Sequence, residues 1–397
     1  MSVFGAVSII KLCGIWKDQV SQNRLKVLQL QNYYNVNASD LAEQIIKSLP
    51  VERFEVTTAF LSGRPAAGQA VSGAEKTHYF DFARHQMGGV RLVVLWRLFR
   101  HIRNEGYDVI IAHRFKPLSL ILWVNLLLKL KLCIGVVHGI GDYDRPSRQW
   151  LFRHIAKPNC CYVAVSQAVR SYLLALDSAF TPTNTLCINN AIDIPRAEKL
   201  QREREEARQL LGMPRAGFVF GSIGRLVPVK GHVDLIAAFA KLAPHLPGAC
   251  VAIIGEGRER PVLEAAIRGY QLEGRVLLLG ARDDALQYIR AFDAFVMPSR
   301  SEGLPLALLE AMSGRLPIIG TDIPSMRPLL EGAQARLYSP GQIDVLAEHM
   351  NAVFSAPTAT REAEGERAYS YLCREHDIDD FRSHYLALLG EIWNDDD

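Results

Sequence analysis

The sequence predicts an α/β protein built from two doubly wound, parallel-sheet domains of similar size. The chain has 397 residues, which is enough for two or three domains. Its 49% hydrophobic and 22% charged residues are typical of a globular protein with large cores. In both halves, short apolar runs alternate with helical patterns, which indicates parallel strands joined by crossover helices.

Five apolar runs in the first half are the predicted strands of the first domain, at residues 25–30, 53–60, 108–113, 131–138 and 161–166. A charged stretch at 195–214 is predicted as a helix that ends at Gly212 and Pro214, and the domain junction is expected there. The predicted strands then begin again, at residues 217–225, 249–257, 275–281, 294–299 and 316–322. We therefore assign residues 1–200 to an N-terminal domain and residues 201–374 to a C-terminal domain.

Charge is unevenly distributed between the two halves. Residues 1–200 contain 24 Lys and Arg against 14 Asp and Glu, whereas residues 201–397 contain 21 against 28. The basic first half is a candidate for meeting phosphate or an anionic surface. The seven cysteines include no C-x-x-C spacing and no cluster with histidine. This pattern indicates a reducing compartment and no zinc site.

Neither a signal peptide nor a membrane span is predicted. Residues 1–19 are mildly apolar, but they lack a basic region and a clear small-residue cleavage site. The longest apolar stretch, at 118–128, is too short to cross a bilayer and is predicted as a buried helix. We therefore expect a cytoplasmic protein.

The stretch GSIGRLVPVKGHVDL, residues 221–235, gathers positive charge where a predicted strand ends. Arg225 follows the strand directly after Gly224, and Lys230 precedes a glycine that begins a helix. A guanidinium, an ammonium and a helix N-terminus at one point suit a diphosphate. If the diphosphate is a leaving group, they also stabilise the charge that grows on it. A surface Arg and Lys on a strand–helix loop is the alternative.

The stretch SRSEGLPLALLEAM, residues 299–312, has Glu302 in a loop and Glu310 in the helix that follows. Pro305 suits the first turn of this helix, and Gly314 suits its end. One carboxylate can accept hydrogen bonds from both hydroxyls of a ribose, and the other can hold sugar hydroxyls. In the alternative interpretation, Glu302 only favours the helix N-terminus through the macrodipole.

In the first half, His138 ends a predicted strand within GVVHGIGDYD and is a candidate binding residue. A lone histidine is more often structural, so both interpretations remain open, and Asp142 and Asp144 make a poor catalytic pair. Asn190 and Asp193, in CINNAID, are interpreted as turn residues.

The stretch IIGEGRER, residues 253–260, is a weak match to a dinucleotide fingerprint. Arg260 stands where that fingerprint needs glycine or alanine. We interpret the stretch as a tight turn between a strand and a helix.

In order and spacing, GRLVPVKGH, GEGRERPVLEAAI and the E-x7-E pair resemble the retaining glycosyltransferases of family 4. The similarity is strongest over residues 217–331, and VSQAVRSYL and NNAID are similar to the ending of the family's first domain. The resemblance implies the GT-B fold, in which two Rossmann-like domains face a cleft and the last helices, roughly 375–397, cross back to the first domain. It also implies a nucleotide-sugar donor, no cofactor and no metal. Retention is expected to proceed by front-face substitution, without a carboxylate nucleophile.

The same resemblance implies a role for each candidate residue. Arg225 and Lys230 meet the diphosphate, and Glu310 takes the ribose hydroxyls. Glu302 and His138 contact the transferred sugar, so these two and the two cations form the implied catalytic set. The implied donor-binding set is completed by Gly224, Gly280, Ala281, Arg282, Gly303 and Leu304, with the backbone of residues 280–282 near the base.

Three loops depart from the family pattern. The first strand–helix loop, NYYNVNASDLA, lacks the usual pair of glycines, and Ala191 replaces the glycine of the motif NGID. IPSMRPLL stands in place of a glycine-rich turn that contains glutamate. We transfer no phosphate role to the first and third loops, and the donor base, whether UDP, GDP or ADP, is not readable.

Residues 89–108 predict a basic amphipathic helix, which fits a membrane surface. A core-packing helix with a solvated basic face is the alternative. We expect an enzyme, peripheral on the inner face of the cytoplasmic membrane, that extends a bacterial surface glycan such as the lipopolysaccharide core. A non-catalytic nucleotide-sugar-binding protein and a GT-B epimerase are the competing hypotheses, and nucleic acid is not an expected partner.

Overall fold

The computed structural model describes residues 24–34, 36, 41–89, 91–128, 130–176 and 178–394. The N-terminal stretch in which we predict no signal peptide lies outside the described residues. Contacts divide the chain into an N-terminal unit, Met1–Asn189 with Asp379–Asp397, and a C-terminal unit, Asn190–Ile378. Each unit contains one parallel sheet with helices between its strands. The prediction of two doubly wound α/β domains is therefore confirmed.

The N-terminal unit contains a seven-stranded parallel sheet in the order β3-β2-β1-β4-β5-β6-β7. Its strands are β1 (Leu25–Tyr33), β2 (Phe54–Ser62), β3 (Lys76–Tyr79), β4 (Val109–His113), β5 (Leu132–Val137), β6 (Cys160–Ala164) and β7 (Thr185–Cys187). Its helices are α1 (Leu41–Lys47), α2 (Leu92–Glu105), α3 (Phe115–Asn125), α4 (Pro146–Ile155) and α5 (Gln167–Leu174). Every residue of the central strands β4 and β5 is buried, as expected when helices cover both faces of a parallel sheet.

The C-terminal unit contains a six-stranded parallel sheet in the order β10-β9-β8-β11-β12-β13. Its strands are β8 (Val219–Ile223), β9 (Cys250–Ile254), β10 (Val276–Leu278), β11 (Ala294–Met297), β12 (Ile318–Thr321) and β13 (Arg336–Tyr338). Its helices are α6 (Ile194–Leu200), α7 (Arg204–Leu210), α8 (His232–Leu242), α9 (Arg260–Gly269), α10 (Leu306–Ser313), α11 (Arg327–Gly332), α12 (Ile343–Ser355) and α13 (Thr358–Glu375). The parallel arrangement brings the carboxyl ends of all six strands to one edge, where such sheets bind ligands.

The last helix, α14 (Ile378–Asn394), belongs almost entirely to the N-terminal unit. The Arg382 guanidinium in α14 donates a hydrogen bond to the Gln44 side chain in α1. Tyr385 is fully buried among the N-terminal residues. The chain therefore leaves the N-terminal unit after Asn189 and returns to it at Asp379.

All ten predicted strands are present, but three short strands were not predicted. These are β3, β7 and β13, each of three or four residues at or near a sheet edge. In each of them most side chains are only partly buried, so the apolar signal that identified the central strands is weak.

The single helix predicted at 195–214 is wrong, because the structure divides this stretch into α6 and α7. Gln201 leaves the helical conformation, with φ −64° and ψ 126°. Its buried side chain donates a 2.8 Å hydrogen bond to Ser313 Oγ in α10. A partner more than a hundred residues away in sequence thus overrides the local helical propensity.

The apolar stretch at 118–128 lies largely within α3, whose residues are mostly buried. Over the described part of the chain, no helix combines the length and the apolar character that a bilayer span requires.

Candidate functional site

At the carboxyl edge of the C-terminal sheet, Lys230 and Glu302 form an ion pair. Lys230 Nζ donates to Glu302 Oε1 at 2.6 Å, and the two side chains are 15% and 12% exposed. Lys230 ends a short 3-10 turn after β8, and Glu302 lies in the loop between β11 and α10. An ammonium has three N–H donors. Glu302 therefore holds the cation in place while donors remain for a second anionic group.

The aliphatic stem of Lys230 lies against Gly224, which follows β8. A methyl group added at Gly224 would lie 3.5 Å from Lys230 Cδ. Arg225 is the next residue, and its exposed guanidinium makes no hydrogen bond or ion pair with the described residues. Lys230, which is paired with Glu302, and Arg225, which has no partner among the described residues, thus both lie in the loop that follows β8.

The start of α8 adds a third source of positive potential to this edge. Gly231 is the N-cap of α8 and has a left-handed φ of 67°. The first four N–H groups of a helix lack partners inside the helix and carry partial positive charge. Arg225, Lys230 and the helix N-terminus thus place three sources of positive charge after one strand, and charges of this kind suit phosphate.

The loop that carries Lys230 is fixed by a close backbone contact. A methyl group added at Gly231 would lie 2.0 Å from the carbonyl oxygen of Pro298, well inside contact distance. The Arg300 N–H also donates to the Val229 carbonyl at 2.7 Å. Only glycine fits at position 231, because the backbone there needs both a positive φ and the absence of a side chain.

His232, which sequence analysis did not single out, lies beneath these cations at the start of α8. It is fully buried, and its Nδ1 has no hydrogen-bond partner. Burial, helped by the nearby Lys230 charge, lowers the pKa of His232 to about 4. The imidazole is therefore neutral near pH 7 and adds no positive charge to that of Lys230 and Arg225.

The stretch IIGEGRER is a tight turn that packs against the loop after β8, which carries Arg225 and Lys230. A methyl group added at Gly255 would lie 1.9 Å from the Gly224 carbonyl oxygen, and one at Gly257 would lie 2.2 Å from that of Leu226. The Gly255 N–H donates to the Gly280 carbonyl at 2.9 Å. These contacts join the ends of β8, β9 and β10 into one backbone surface.

Gly280 itself has a left-handed φ of 74°, and the next two residues, Ala281 and Arg282, are exposed. The predicted base-binding backbone therefore lies at the same sheet edge as the cationic loop, two strands away from β8. The structure brings these three residues to the predicted edge, but their role in binding stays a prediction.

Glu310 is the fifth residue of α10 and is 8% exposed, whereas Glu302 precedes the helix. Gly303 and Leu304, between the two glutamates, are buried. The helix begins directly after Pro305, which is its N-cap and not a residue of its first turn, and it ends at Ser313 with Gly314 as its C-cap. The E-x7-E spacing thus spans a loop and one helix, and each carboxylate is held by a different element.

Asn190 fastens the loop that contains Glu302, a role that sequence analysis missed. Its Nδ2 donates to the Leu304 carbonyl at 2.8 Å, and its own carbonyl accepts a 2.8 Å hydrogen bond from His376 Nδ1. Asn190 and His376 are both buried. The interpretation of Asn190 as a turn residue is therefore incomplete, and only its position in NNAID pointed to this part of the fold.

In the N-terminal unit, His138 directly follows β5 and is partly buried. Its Nε2 lies 3.2 Å from Nδ1 of His113, the last residue of β4. Burial, together with the neighbouring His113 and Arg114, holds the pKa of His138 well below its usual range. His138 is thus neutral and has a direct side-chain partner that sequence analysis did not identify.

Across the described residues, no group of three or more His, Cys, Asp or Glu side chains has an arrangement that would hold a metal ion.

Two family models match consecutive parts of the chain. The model described as "Glycosyltransferase Family 4" matches residues 39–196, and the model described as "Glycosyl transferases group 1" matches residues 203–371. The second match contains the Lys230–Glu302 pair and the E-x7-E stretch.

Curated relatives carry glycosyltransferase names. The chain is 27% identical, over 57% of its length, to the UDP-Gal:alpha-D-GlcNAc-diphosphoundecaprenol alpha-1,3-galactosyltransferase of Escherichia coli, and the match spans about three fifths (60%) of that relative. It is 26% identical to the lipopolysaccharide core biosynthesis glycosyltransferase LpsE of Rhizobium meliloti, over 73% of this chain and 83% of the relative.

A solved structure with a similar fold is Anabaena Alr3699/HepE in complex with UDP-glucose. It superimposes with a TM-score of 0.75 at 21% identity and covers 92% of this chain and 100% of that chain. At this identity the similarity establishes the fold.

Replacing Gly231 should disrupt the cationic loop. Gly231→Ala forces a methyl group against the Pro298 carbonyl, so we expect a loss of about 3 kcal/mol or more in the free energy of unfolding, measured by urea titration. Gly212→Ala is the matched control, since Gly212 has a similar φ of 66° but no atom within 4 Å of the added methyl group. It should cost only about 1 kcal/mol. Equal losses in the two variants would contradict the proposed constraint.

Proposed function

Because the chain belongs to the GT-B glycosyltransferases of the family 4 type, we propose that it is a retaining enzyme that transfers a sugar from a nucleotide-sugar donor to a glycan or glycolipid acceptor. The observation that carries this proposal is the cationic sheet edge, where Lys230 is held by Glu302 at 2.6 Å and Arg225 is unpaired in the described structure. The UDP-glucose complex of the structural neighbour from Anabaena supports a donor of this class.

The donor is proposed to bind along the carboxyl edge of the C-terminal sheet. Arg225, Lys230 and the N-terminus of α8 meet the diphosphate, since these groups offer charge-assisted hydrogen bonds. Glu310 accepts hydrogen bonds from the ribose hydroxyls. The backbone from Gly280 to Arg282 contacts the base.

The sugar is proposed to be held by acidic and neutral hydrogen-bonding groups. Glu302 accepts hydrogen bonds from its hydroxyls, and the backbone at Gly303 and Leu304 lines the same loop. His138 of the N-terminal unit donates a hydrogen bond to a sugar oxygen, as a neutral imidazole does through its one N–H.

Transfer breaks the bond between the anomeric carbon and the diphosphate oxygen, and it forms a bond from that carbon to the acceptor oxygen. In the retaining pathway that we propose, both events take place on the same face of the sugar. The acceptor hydroxyl gives its proton to the departing diphosphate, which leaves as the nucleoside diphosphate. Negative charge grows on the diphosphate during this step, so Lys230 and Arg225 stabilise the transition state more than the ground state.

The acceptor is proposed to be a bacterial surface glycan, with the lipopolysaccharide core as the leading candidate. Support comes from the names of two relatives, one a lipopolysaccharide core glycosyltransferase and the other acting on a sugar linked to diphosphoundecaprenol. Both names refer to a glycan that is linked to a lipid, and we accordingly propose a cytoplasmic enzyme bound peripherally to the inner face of the cytoplasmic membrane.

Helix α2 supports membrane binding, because it has an apolar surface that the core does not use. Its residues Val94, Leu98 and Ile102 are buried against the N-terminal unit, whereas Leu92 is 70% and Trp96 is 57% exposed. Further exposed apolar side chains lie on α3, which contacts α2, directly after α3, and on α4, which contacts α3, at Trp123, Leu126, Leu127 and Trp150.

Basic side chains accompany this apolar surface. The Arg100 guanidinium lies 4.4 Å from the centre of the Trp96 ring, and Arg103 is also exposed. Exposed aromatic rings next to arginine suit the headgroup region of an anionic bilayer. The excess of basic residues in the first half of the sequence favours the same partner.

Two substitutions should separate turnover from donor binding. The donor is first chosen by thermal shift with UDP-, GDP- and ADP-sugars, because a ligand at a hundredfold excess over its Kd stabilises the protein by about 2.7 kcal/mol. Lys230→Ala should then lower kcat about a hundredfold with little change in KM, as expected for a lost transition-state donor. Glu310→Ala should instead raise KM for the donor, and Glu310→Gln checks that the change is not a folding defect.

The matched control is Lys241→Ala, which removes a surface lysine from its ion pair with Asp344 and should leave kinetics unchanged. Unaltered kinetics in the Lys230 and Glu310 variants would refute the assigned donor site. Stabilisation by a nucleotide sugar without transfer to any acceptor would favour the non-catalytic hypothesis. Conversion of the donor sugar into its epimer, with no acceptor present, would favour the epimerase.

We propose that Arg225 and Lys230 supply the positive charge for the diphosphate without a divalent metal. Transfer activity should therefore persist, within about twofold, after dialysis against EDTA. Loss of activity in EDTA that Mg²⁺ or Mn²⁺ restores would overturn the metal-independent mechanism and leave the donor assignment to be judged by the variants above.

Binding to vesicles tests the proposed membrane surface. We expect the protein to sediment with vesicles that contain phosphatidylglycerol at low salt, and to sediment less as salt rises, because surface electrostatics are screened. Trp96→Ala combined with Arg100→Ala should reduce binding several-fold. The control pair is Tyr270→Ala with Arg268→Ala, which removes an exposed aromatic ring and an exposed arginine from the C-terminal unit. Absence of binding at low salt would refute the membrane proposal.

A further inference from the structure

Two histidines from neighbouring parallel strands are in direct contact in the N-terminal unit. His113 is the last residue of β4, and His138 follows the end of β5. The His113 Nδ1 and the His138 Nε2 are 3.2 Å apart, which is hydrogen-bonding distance. The ring planes are tilted by 38°, with centroids 5.4 Å apart, so the rings meet through their nitrogen atoms and are not stacked.

The surroundings of His113 determine which nitrogen carries the proton. His113 is 5% exposed, and its Nε2 is buried without a hydrogen-bond partner. In folded proteins an orphaned buried N–H is rarer than an acceptor whose lone pair is unsatisfied. The proton of neutral His113 therefore belongs on Nδ1, from which it is donated to His138.

This assignment also fixes the tautomer of His138. Its Nε2 accepts from His113, so its single proton is on Nδ1. Both rings are neutral near pH 7. Burial lowers the pKa of His113 to about 3. Burial and the neighbouring His113 and Arg114 hold the pKa of His138 well below its usual range. The His138 Nδ1 makes no hydrogen bond with the described residues and is left to donate elsewhere.

We propose that His113 is a positioning residue, which donates a hydrogen bond to His138 Nε2 and so fixes His138 as an Nδ1–H donor toward an oxygen of the transferred sugar. This inference rests on the proposed function, in which His138 contacts that sugar. His113 acts only through His138. Without its partner, His138 is free to carry its proton on either nitrogen and to rotate, so only part of the population presents the correct donor.

The direct test is the tautomer of His138, read from the imidazole nitrogen shifts of the full-length protein by NMR. The nitrogen signals of His138 are identified by their absence from the spectrum of the His138→Asn variant. We expect an unprotonated Nε2 and a protonated Nδ1 in the wild-type protein. A proton on Nε2 of His138 would overturn the proposal, and this result does not depend on any enzymatic activity.

Two variants of His113 add a functional test. His113→Asn retains an N–H donor near the position of Nδ1, so it should keep the His138 tautomer and most of the activity. His113→Leu removes the donor, so both tautomers should appear and kcat should fall about tenfold, with the KM for the acceptor unchanged. A folded Leu variant that keeps the wild-type tautomer and rate would contradict the proposal.

Failure of this inference is distinguishable from failure of the proposed function. If the wild-type protein has no transfer activity but shows the Nδ1–H tautomer, the function is wrong and the hydrogen bond stands. If transfer is active and His113→Leu leaves both the tautomer and the rate unchanged, the function stands and His113 has no positioning role. Should the Leu variant not fold, the wild-type tautomer and the Asn variant decide the question.

Discussion

The position of the Lys230 ammonium depends on a backbone contact in which no side chain fits. Gly231 approaches the Pro298 carbonyl so closely that an added methyl group would lie 2.0 Å from the oxygen. This contact brings the loop after β8 against the loop after β11, so that Lys230 reaches Glu302 at 2.6 Å. The ion pair is therefore a product of the packing of two strand ends, and it holds the Lys230 ammonium in position.

The charge at the carboxyl edge of the C-terminal sheet depends on which cationic side chains have a counter-ion in the folded protein. Glu302 offsets one positive charge, His232 is neutral because it is buried, and Arg225 remains as an exposed cation at the end of β8. Around the end of β8, the positive charge without a counter-ion in the described structure thus lies on Arg225 and on the first turn of α8. The second carboxylate, Glu310, lies on α10, whereas the cations lie in the loop after β8. Anionic and hydroxyl-rich parts of one ligand would meet different elements.

Much of the fold was predictable, because central strands of a parallel sheet are continuous apolar runs, and all ten of the predicted strands are present. The edge strands β3, β7 and β13 were missed, because their half-exposed side chains give no such run. In the candidate site, the sequence correctly placed the cations Arg225 and Lys230 after one strand and Glu302 after another. It did not reveal that Lys230 and Glu302 pair, that Asn190 fastens the loop at Leu304, or that His113 contacts His138. Each of these contacts joins distant segments, and local patterns contain no information on them.

The return of the chain to the N-terminal unit at Asp379 has a consequence for synthesis on the ribosome. Residues Asn190–Ile378 form a continuous unit, whose strands and helices are all present before α14 is made. The N-terminal unit, although translated first, still lacks Tyr385 from its interior and Arg382 beside Gln44. The N-terminal unit therefore cannot complete its interior until α14 has been made, and the C-terminal unit is the first whose sequence is fully available.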